Sequence, residues 1–402
     1  MGTFGPVSGV WSGVVGQPEA VAVLGAAAEA AASIVAGGTP APGAMTHAWL
    51  FTGPPGSGQA ATARAFAAAL QCVATDDRPG CGVCAGCHTT TAGTHADVRV
   101  VAPEGLSISV AEMRSLVQVS ARRPTSGRWQ VVIVAEADRL TEGAANALLK
   151  AVEEPPERTV FLLCAPSDHP EDVSVTIRSR CRIVPLGTPR AASIASALVT
   201  EGVAADLADW AASVCGGHVG RARRLATDDK ARARREAVLR IPLALRRPVD
   251  IFTCADSLVR AAEEDAAGAH EGQDEAERTA LETAMGAGGT GKGTAAATRG
   301  AKGALKDLEK RQKSRATRTQ RDSLDQALVD LAAFYRDVLV SAAGVVLNHP
   351  DRAAESAAAA AEWSPESTLR RLEAVLACRE ALELNVKPRI AVEAMLTTLH
   401  RG

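Results

Sequence analysis

Short β-branched runs punctuate the first half of the chain, at Ala48 to Thr52, Val98 to Val101, Val131 to Val134, Val160 to Cys164 and Cys181 to Val184. Helical patterns fill the intervals, and this alternation predicts a parallel sheet with flanking helices. Ser109 with Glu112 forms a capping box ahead of Met113, Leu116 and Val117 at helical spacing. A second helix is predicted from Thr141 to Pro155 on the stripe Ala145, Leu148, Leu149, Val152, stopped by Pro155-Pro156 because proline removes a donor and clashes with the preceding turn.

After about residue 188 the strand signals vanish and helical patterns run through residues 190 to 245. Residues 264–304 are polar and then rich in Gly, Ala and Thr, a composition that predicts a flexible insertion because it buries too little surface to offset ordering entropy. Amphipathic helices return from about Leu305 to His400. One of them is launched by Ser364 as N-cap and Pro365 at the first helical position, with Leu369, Leu372, Leu376 and Leu382 expected on its buried face. The pattern divides the chain into an α/β domain at 1–187, a small helical domain at 188–245 and a helical domain at 246–402.

Composition narrows the class. A chain of 402 residues exceeds what one core usually supports. Its 47% hydrophobic but only 3% aromatic content suits packed helices. A net charge of -2 supplies no global attraction to nucleic acid, so any polyanion contact has to be local. The first residues lack a basic segment followed by an apolar run, and about 18 uninterrupted apolar residues occur nowhere; the expectation is a cytoplasmic chain with no membrane partner.

Gly53-Pro-Pro-Gly56-Ser-Gly58-Gln59-Ala60 follows an apolar strand and precedes a helix, the context in which backbone amides cradle phosphates. A working P-loop needs lysine where Gln59 stands and Ser or Thr where Ala60 stands, to neutralise phosphate and hold Mg²⁺. Ala135 likewise occupies the place of a metal-binding Asp after the strand Val131 to Val134. Glu136 stands where it would polarise water, with no metal or phosphate lysine to act with, and together with Asp138 it reads as a solvated cap on the strand. The site reads as a decayed nucleotide site, with productive ATP and Mg²⁺ binding not expected.

Cys72, Cys81, Cys84 and Cys87 follow with glycine and proline turns between them. Four soft ligands at this spacing suit tetrahedral Zn²⁺, and a site filled by protein leaves no position for water, so the metal is expected to be structural. His88 is a competing ligand by position. Cys164, Cys215, Cys254 and Cys378 read as small core residues. Lys302 to Arg321 holds eight Lys/Arg against two acids; without interleaved aromatics it reads as a solvated helix before it reads as a phosphate contact.

Taken together, the zinc pattern after a P-loop, Glu136-Ala-Asp-Arg-Leu-Thr141, Asn146-Ala-Leu-Leu-Lys-Ala-Val-Glu-Glu-Pro-Pro156, Ser179-Arg180-Cys181 and the opening Val14-Val15-Gly16-Gln17 resemble the bacterial clamp-loader AAA+ family of DNA polymerase III. The resemblance spans residues 11 to about 226 and continues more weakly beyond. Lost Walker chemistry beside an intact Ser-Arg-Cys resembles the delta-prime type of subunit, whereas tau/gamma motors keep both.

The resemblance implies an AAA+ domain with a zinc module at 72–88, a lid and an oligomerising collar. It implies tau/gamma and delta partners, and through them the beta sliding clamp and primer-template DNA in the replisome at the nucleoid. It implies that Arg180, with Ser179, acts as an arginine finger in trans, and that the chain is non-catalytic within a DNA-directed DNA polymerase holoenzyme. Gly220 stands where a motor carries its sensor arginine, with Arg221 one place later. Two other readings remain open: an ATPase that tolerates Gln59, recognised by hydrolysis lost on Glu136→Gln, and a zinc-dependent DNA adaptor, recognised by tight, salt-sensitive DNA binding alone.

Overall fold

The computed structural model describes residues 9–74, 78–125, 127–284 and 294–402. Contacts divide the chain into two units, one running to Thr227 apart from Glu104–Leu106, the other comprising those three residues and Asp228–Gly402.

In the first unit, β1 (Ala48–Thr52), β2 (Val98–Val101), β3 (Gln130–Val134), β4 (Thr159–Ala165) and β5 (Arg182–Pro185) form an all-parallel sheet in the order β2-β3-β4-β1-β5. The three central strands are buried along their whole length, as helices on both faces require. Alternation along each strand splits the core in two. Trp49, Phe51, Ile133 and Leu162 pack beneath α1 (Pro18–Val35) and α2 (Gln59–Leu70). Following the short α3 (Ala85–Thr91), α4 (Val110–Ser120), α5 (Glu142–Glu153) and α6 (Val175–Arg178) cover Leu50, Val132, Phe161 and Leu163 on the opposite face.

The Ser109–Glu112 capping box is formed at the start of α4, and α5 begins on Thr141, whose side chain accepts from the Ala144 N–H. Among the described helices, α1 alone is long and apolar enough to cross a membrane; its Ala20, Leu24, Ala27, Ala28 and Ala31 instead line the sheet core. The helices α7 (Ala191–Thr200), α8 (Ala205–Val214) and α9 (Val219–Thr227) complete the unit.

Phe66 is fully buried and meets Trp49 edge to face with ring centroids 5.1 Å apart. Phe66→Ala is expected to cost about 3–5 kcal/mol, from lost transfer energy plus the cavity it leaves. Equilibrium urea unfolding of the variant checks this.

The second unit is a helical bundle of α10 (Asp229–Ala244), α11 (Pro248–Ala284), α12 (Thr294–Val340), α13 (Ala353–Glu362), α14 (Pro365–Glu383) and α15 (Pro388–Arg401). Its core gathers Leu258, Leu328, Leu331, Phe334, Tyr335, Val375, Val392 and Leu396. Two expectations are corrected here. Leu369 and Leu376 of α14 are 47% and 46% exposed; Leu382 is buried and Leu372 partly so, as expected, and Thr368, Val375 and Cys378 face inward with them. A helix wedged between α12 and α15 buries a seam set by both neighbours rather than by its own leucine stripe.

Second, the stretch expected to be a flexible insertion at 264–304 is helical through Ala284 and again from Thr294, the residues between lying outside those described. Ala, Glu and Arg are strong helix formers, and polar pairs join the two helices. Arg315 Nη2 lies 2.8 Å from Glu277 Oε2, His270 Nε2 2.8 Å from Thr319 Oγ1, and Ser323 Oγ donates to Asp265 at 2.7 Å. Within the basic run of α12, Arg315 thus pairs with Asp274 and Glu277 of α11, while Lys306, Lys310, Arg311 and Lys313 are exposed.

His349 is 1% exposed, between Asp330 and Arg235. Arg235 Nη2 donates to its Nδ1 at 2.9 Å, which leaves Nε2–H to donate to the Asp330 carbonyl at 3.1 Å. Burial first, and the Arg235 charge after it, push the imidazole below its ordinary value of 6.5, against the opposite pull of Asp330 and Asp337. Burial lowers His95 and His218 in the same direction. Such a group takes its proton first in the unfolded chain. Its contribution is therefore full above pH 6.5 and is lost as pH falls towards the folded value. Unfolding free energy is expected to drop between pH 7.5 and 5.5, and His349→Gln to flatten that slope.

Candidate functional site

The loop between β1 and α2 has the shape of a phosphate cradle. Gly56 and Gly58 adopt φ of 86° and 97°, a left-handed conformation that side-chain-bearing residues rarely reach. Gly53 N–H bonds the Pro166 carbonyl at the end of β4, and Gly58 serves as N-cap of α2. The chemistry that would fill the cradle is missing. Gln59 turns its amide back onto the loop, donating from Nε2 to the carbonyls of Gly53 at 2.5 Å and Pro54 at 3.3 Å. The next side chain, Ala60, carries no oxygen for a metal.

Two residues outside the motif shape this loop. Gln17, 7% exposed, donates from Nε2 to Ser57 O at 3.1 Å and Gly187 O at 2.6 Å, and accepts the Gly187 N–H at 3.1 Å. The His218 ring packs so closely on Gly56 that a Cβ there would overlap it, and the Val219 N–H reaches Gly56 O at 3.3 Å. Gln17 was visible in the sequence only as part of an opening motif, and His218 only as a neighbour of Gly220; neither position announces a contact with the loop.

Because β1 and β3 are parallel with β4 between them, Ala135 and Glu136 lie at the same sheet edge as the loop. Asp138 is less solvated than the sequence suggests. Its side chain is 17% exposed and lies 3.3 Å from Arg139 Nε, with burial raising its carboxyl above the ordinary value.

Ser179 and Arg180 lie at the other edge. They follow α6, whose Ile177 is anchored in the core, and precede β5, in which Arg182 pairs with Trp49 and Pro185 with Thr52. The four residues of β5, about 13 Å of strand, therefore separate Arg180 from the level of the chain's own loop. The Arg180 guanidinium reaches Glu153 Oε1 at 2.7 Å and Thr176 O at 2.9 Å, and Ser179 Oγ donates to Thr176 O at 3.0 Å.

The four cysteines converge at the far end of α2. Their sulfurs all lie within 4.8 Å of one another, with Cys72 and Cys87 buried. Cys84 Sγ is 3.9 Å from Cys72 Sγ, close to the roughly 3.8 Å that follows from four Zn–S bonds of ~2.3 Å in a tetrahedron. Backbone amides point at the sulfurs, from Cys84 N to Cys81 Sγ at 3.4 Å and from Cys87 N to Cys84 Sγ at 3.5 Å.

Burial opposes ionisation at Cys84, yet the amides of Cys87 and Val73 draw its thiol down to about 6. At Cys72 the amides of Cys81, Gly80 and Ala74 likewise outweigh burial, whereas burial pushes Cys87 up. The donor set fits a four-thiolate structural zinc. His88 is exposed and outside the cluster. Arg128, which the sequence did not single out, bonds the Cys72 carbonyl through Nη1.

Residues 39–190 match the family model described as DNA polymerase III, delta subunit. Over these residues the chain is similar to the DNA polymerase III clamp-loader family. Members similar to it include the subunit delta' of Escherichia coli K12, 39% identical over 145 residues covering 36% of this chain and 43% of that protein. The Bacillus subtilis subunit delta' is 29% identical over 197 residues, 49% and 59% of the two chains. The gamma/tau subunit of Mycobacterium tuberculosis H37Rv is 36% identical over 199 residues, 48% and 32%. The chain thus spans less than two thirds of each of these clamp-loader relatives. A gamma subunit-related protein of Thermotoga maritima superposes over 93% of this chain and 99% of its own at 14% identity and a TM-score of 0.45, too distant a likeness to bear on function.

Proposed function

We propose that this chain is a delta-prime-type clamp-loader subunit that does not itself hydrolyse ATP and lends Arg180 to the nucleotide site of a neighbouring motor subunit. In this reading residues 1–187 are the AAA+ domain, the lid begins at 188 and the collar closes the chain, with α10, expected within a lid at 188–245, belonging instead to the collar's core. The partners are tau/gamma and delta subunits, and the assembly loads the beta clamp on primed DNA in the cytoplasm. The observation that carries the proposal is the opposition of loop and arginine across the sheet. An arginine a strand's length from its own loop serves a nucleotide only if another subunit presents one.

The loop supports the same reading. Gln59 offers no positive charge to a γ-phosphate, its amide is already spent on Gly53 and Pro54 carbonyls, and Ala60 and Ala135 offer no ligand to Mg²⁺. A guanidinium brought to the γ-phosphate of a neighbour stabilises charge that grows in the transition state, through a planar fork matched to phosphate oxygens.

The purified chain is expected to turn over no ATP above the buffer rate, with or without primed DNA, and Glu136→Gln is expected to change nothing. Hydrolysis by the chain alone that Glu136→Gln abolishes overturns the proposal in favour of a Gln59-tolerant ATPase. A coupled phosphate-release assay on zinc-replete protein makes the measurement.

A further inference from the structure

Resting on that reading of Arg180, we propose that Glu153 is a positioning residue for the finger, holding its guanidinium in the pose that meets the neighbour's nucleotide. An exposed arginine on its own samples many rotamers, and misplacing a catalytic group by about 1 Å costs on the order of 10²-fold in rate. Here the side chain is constrained from two elements. Nη2 lies 2.7 Å from Glu153 Oε1, while Nη1 lies 2.9 Å from Thr176 O and 3.4 Å from Ser179 Oγ. Three acceptors fix both the position and the plane of the guanidinium. Its five N–H groups exceed what these acceptors take, so the fork retains donors for phosphate oxygens.

Glu153 is itself well placed to hold something still. It is the last residue of α5, next to the buried Ala151 and Val152, and the chain turns away at once into Pro155-Pro156. His47 Nε2 bonds the Val152 carbonyl at 2.9 Å and pins the helix end to the start of β1. Glu153 and Arg180 are 39% and 38% exposed. An ion pair so exposed adds little to folding, so what it supplies is geometry.

The test uses the reconstituted loader and DNA-stimulated ATP turnover. Glu153→Ala is expected to lower kcat about 10–100-fold with the KM for ATP unchanged, since positioning acts in the transition state. Glu153→Gln, which keeps an oxygen acceptor on the same stem, retains most of the rate. Glu153→Asp, which keeps the charge but withdraws it by one methylene, falls with Glu153→Ala. In an Arg180→Ala background Glu153→Ala adds no further loss, because the two act as one unit.

Incorporation into the complex and the unfolding midpoint are measured for each variant, and Glu153→Gln and Glu153→Asp carry the test should Glu153→Ala fail to assemble. Wild-type turnover in assembled Glu153→Ala or Glu153→Asp, beside an impaired Arg180→Ala, overturns the positioning role and leaves the finger standing. An added loss in the double variant also overturns it. Wild-type turnover in Arg180→Ala overturns the finger, and the positioning role falls with it.

Discussion

A loader assembled with Arg180→Ala in this chain is expected, on the proposed trans role of this arginine, to lose DNA-stimulated ATP turnover at the neighbouring site, with a loss of about 10³-fold or more in kcat, the scale on which arginine fingers act. The loss has a definite physical source. Transition-state charge spreads over the γ-phosphate oxygens, and a desolvated guanidinium there cannot be replaced by mobile water. Arg180→Lys restores little, leaving turnover below about a tenth of wild type, because an ammonium has a single point of charge and no planar fork. Single-turnover hydrolysis, with assembly verified by size exclusion, makes the measurement. Undiminished turnover in a correctly assembled complex overturns the finger and leaves Arg180 an exposed side chain held by Glu153 and Thr176.

The second large effect concerns the cysteine cluster. The protein is expected to carry one zinc per chain, and Cys87→Ser to lose it together with several kcal/mol of stability. Structural zinc sites in peptides carry apparent binding energies of about 10–16 kcal/mol, all of it linked to folding. The loss here is smaller because part of the surroundings packs without the metal: Trp11 Nε1 donates to Pro79 O at 3.4 Å and Val10 N to Gly80 O at 2.9 Å. Each kcal/mol lowers Tm by roughly 2–4 °C in a domain of this size.

Cys87 is the choice because it is fully buried, with its Sγ 3.5 Å from the Ala68 carbonyl of α2, so the module and the end of that helix loosen together. Cys254→Ser, outside the cluster, is the control and leaves zinc content unchanged. Metal binding requires thiolates, so acidification competes with it, and chelator extraction is expected to be faster at pH 5.5 than at pH 7.5. Metal-free protein as purified, with Cys87→Ser melting like wild type, overturns the assignment.

Much of this was legible in the sequence because it is local. Five runs of apolar residues became five strands within a residue or two. Thr141 and Pro155-Pro156 bracket α5 because caps and prolines act on their immediate neighbours, and the four cysteines meet because short glycine turns return the chain upon itself. Where the reading went astray, non-local packing was responsible. On α14 the expected face of Leu369, Leu372, Leu376 and Leu382 is only half right: Leu382 is buried and Leu372 packs against the core, but two flanking helices turn Leu369 and Leu376 outward. At 264–304 the polar composition described a single chain segment, whereas Glu277, Asp265 and His270 find their partners on the antiparallel helix.

By itself, the sequence determined which side chains the loop lacks and which thiols could hold a metal, since Gln59, Ala60, Ala135 and the cysteines are facts of side-chain identity. Only the tertiary structure decided where those groups stand relative to one another. Running β1, β3 and β5 in one direction puts the loop and Glu136, which follow their strands, at one edge of the sheet and Arg180, which precedes its strand, at the other. The same packing brings Glu153 onto the guanidinium, Gln17 under Ser57 and His218 against Gly56. The reason is physical: strand order and helix docking are settled by burial summed over the whole sheet, and no window of sequence contains that sum.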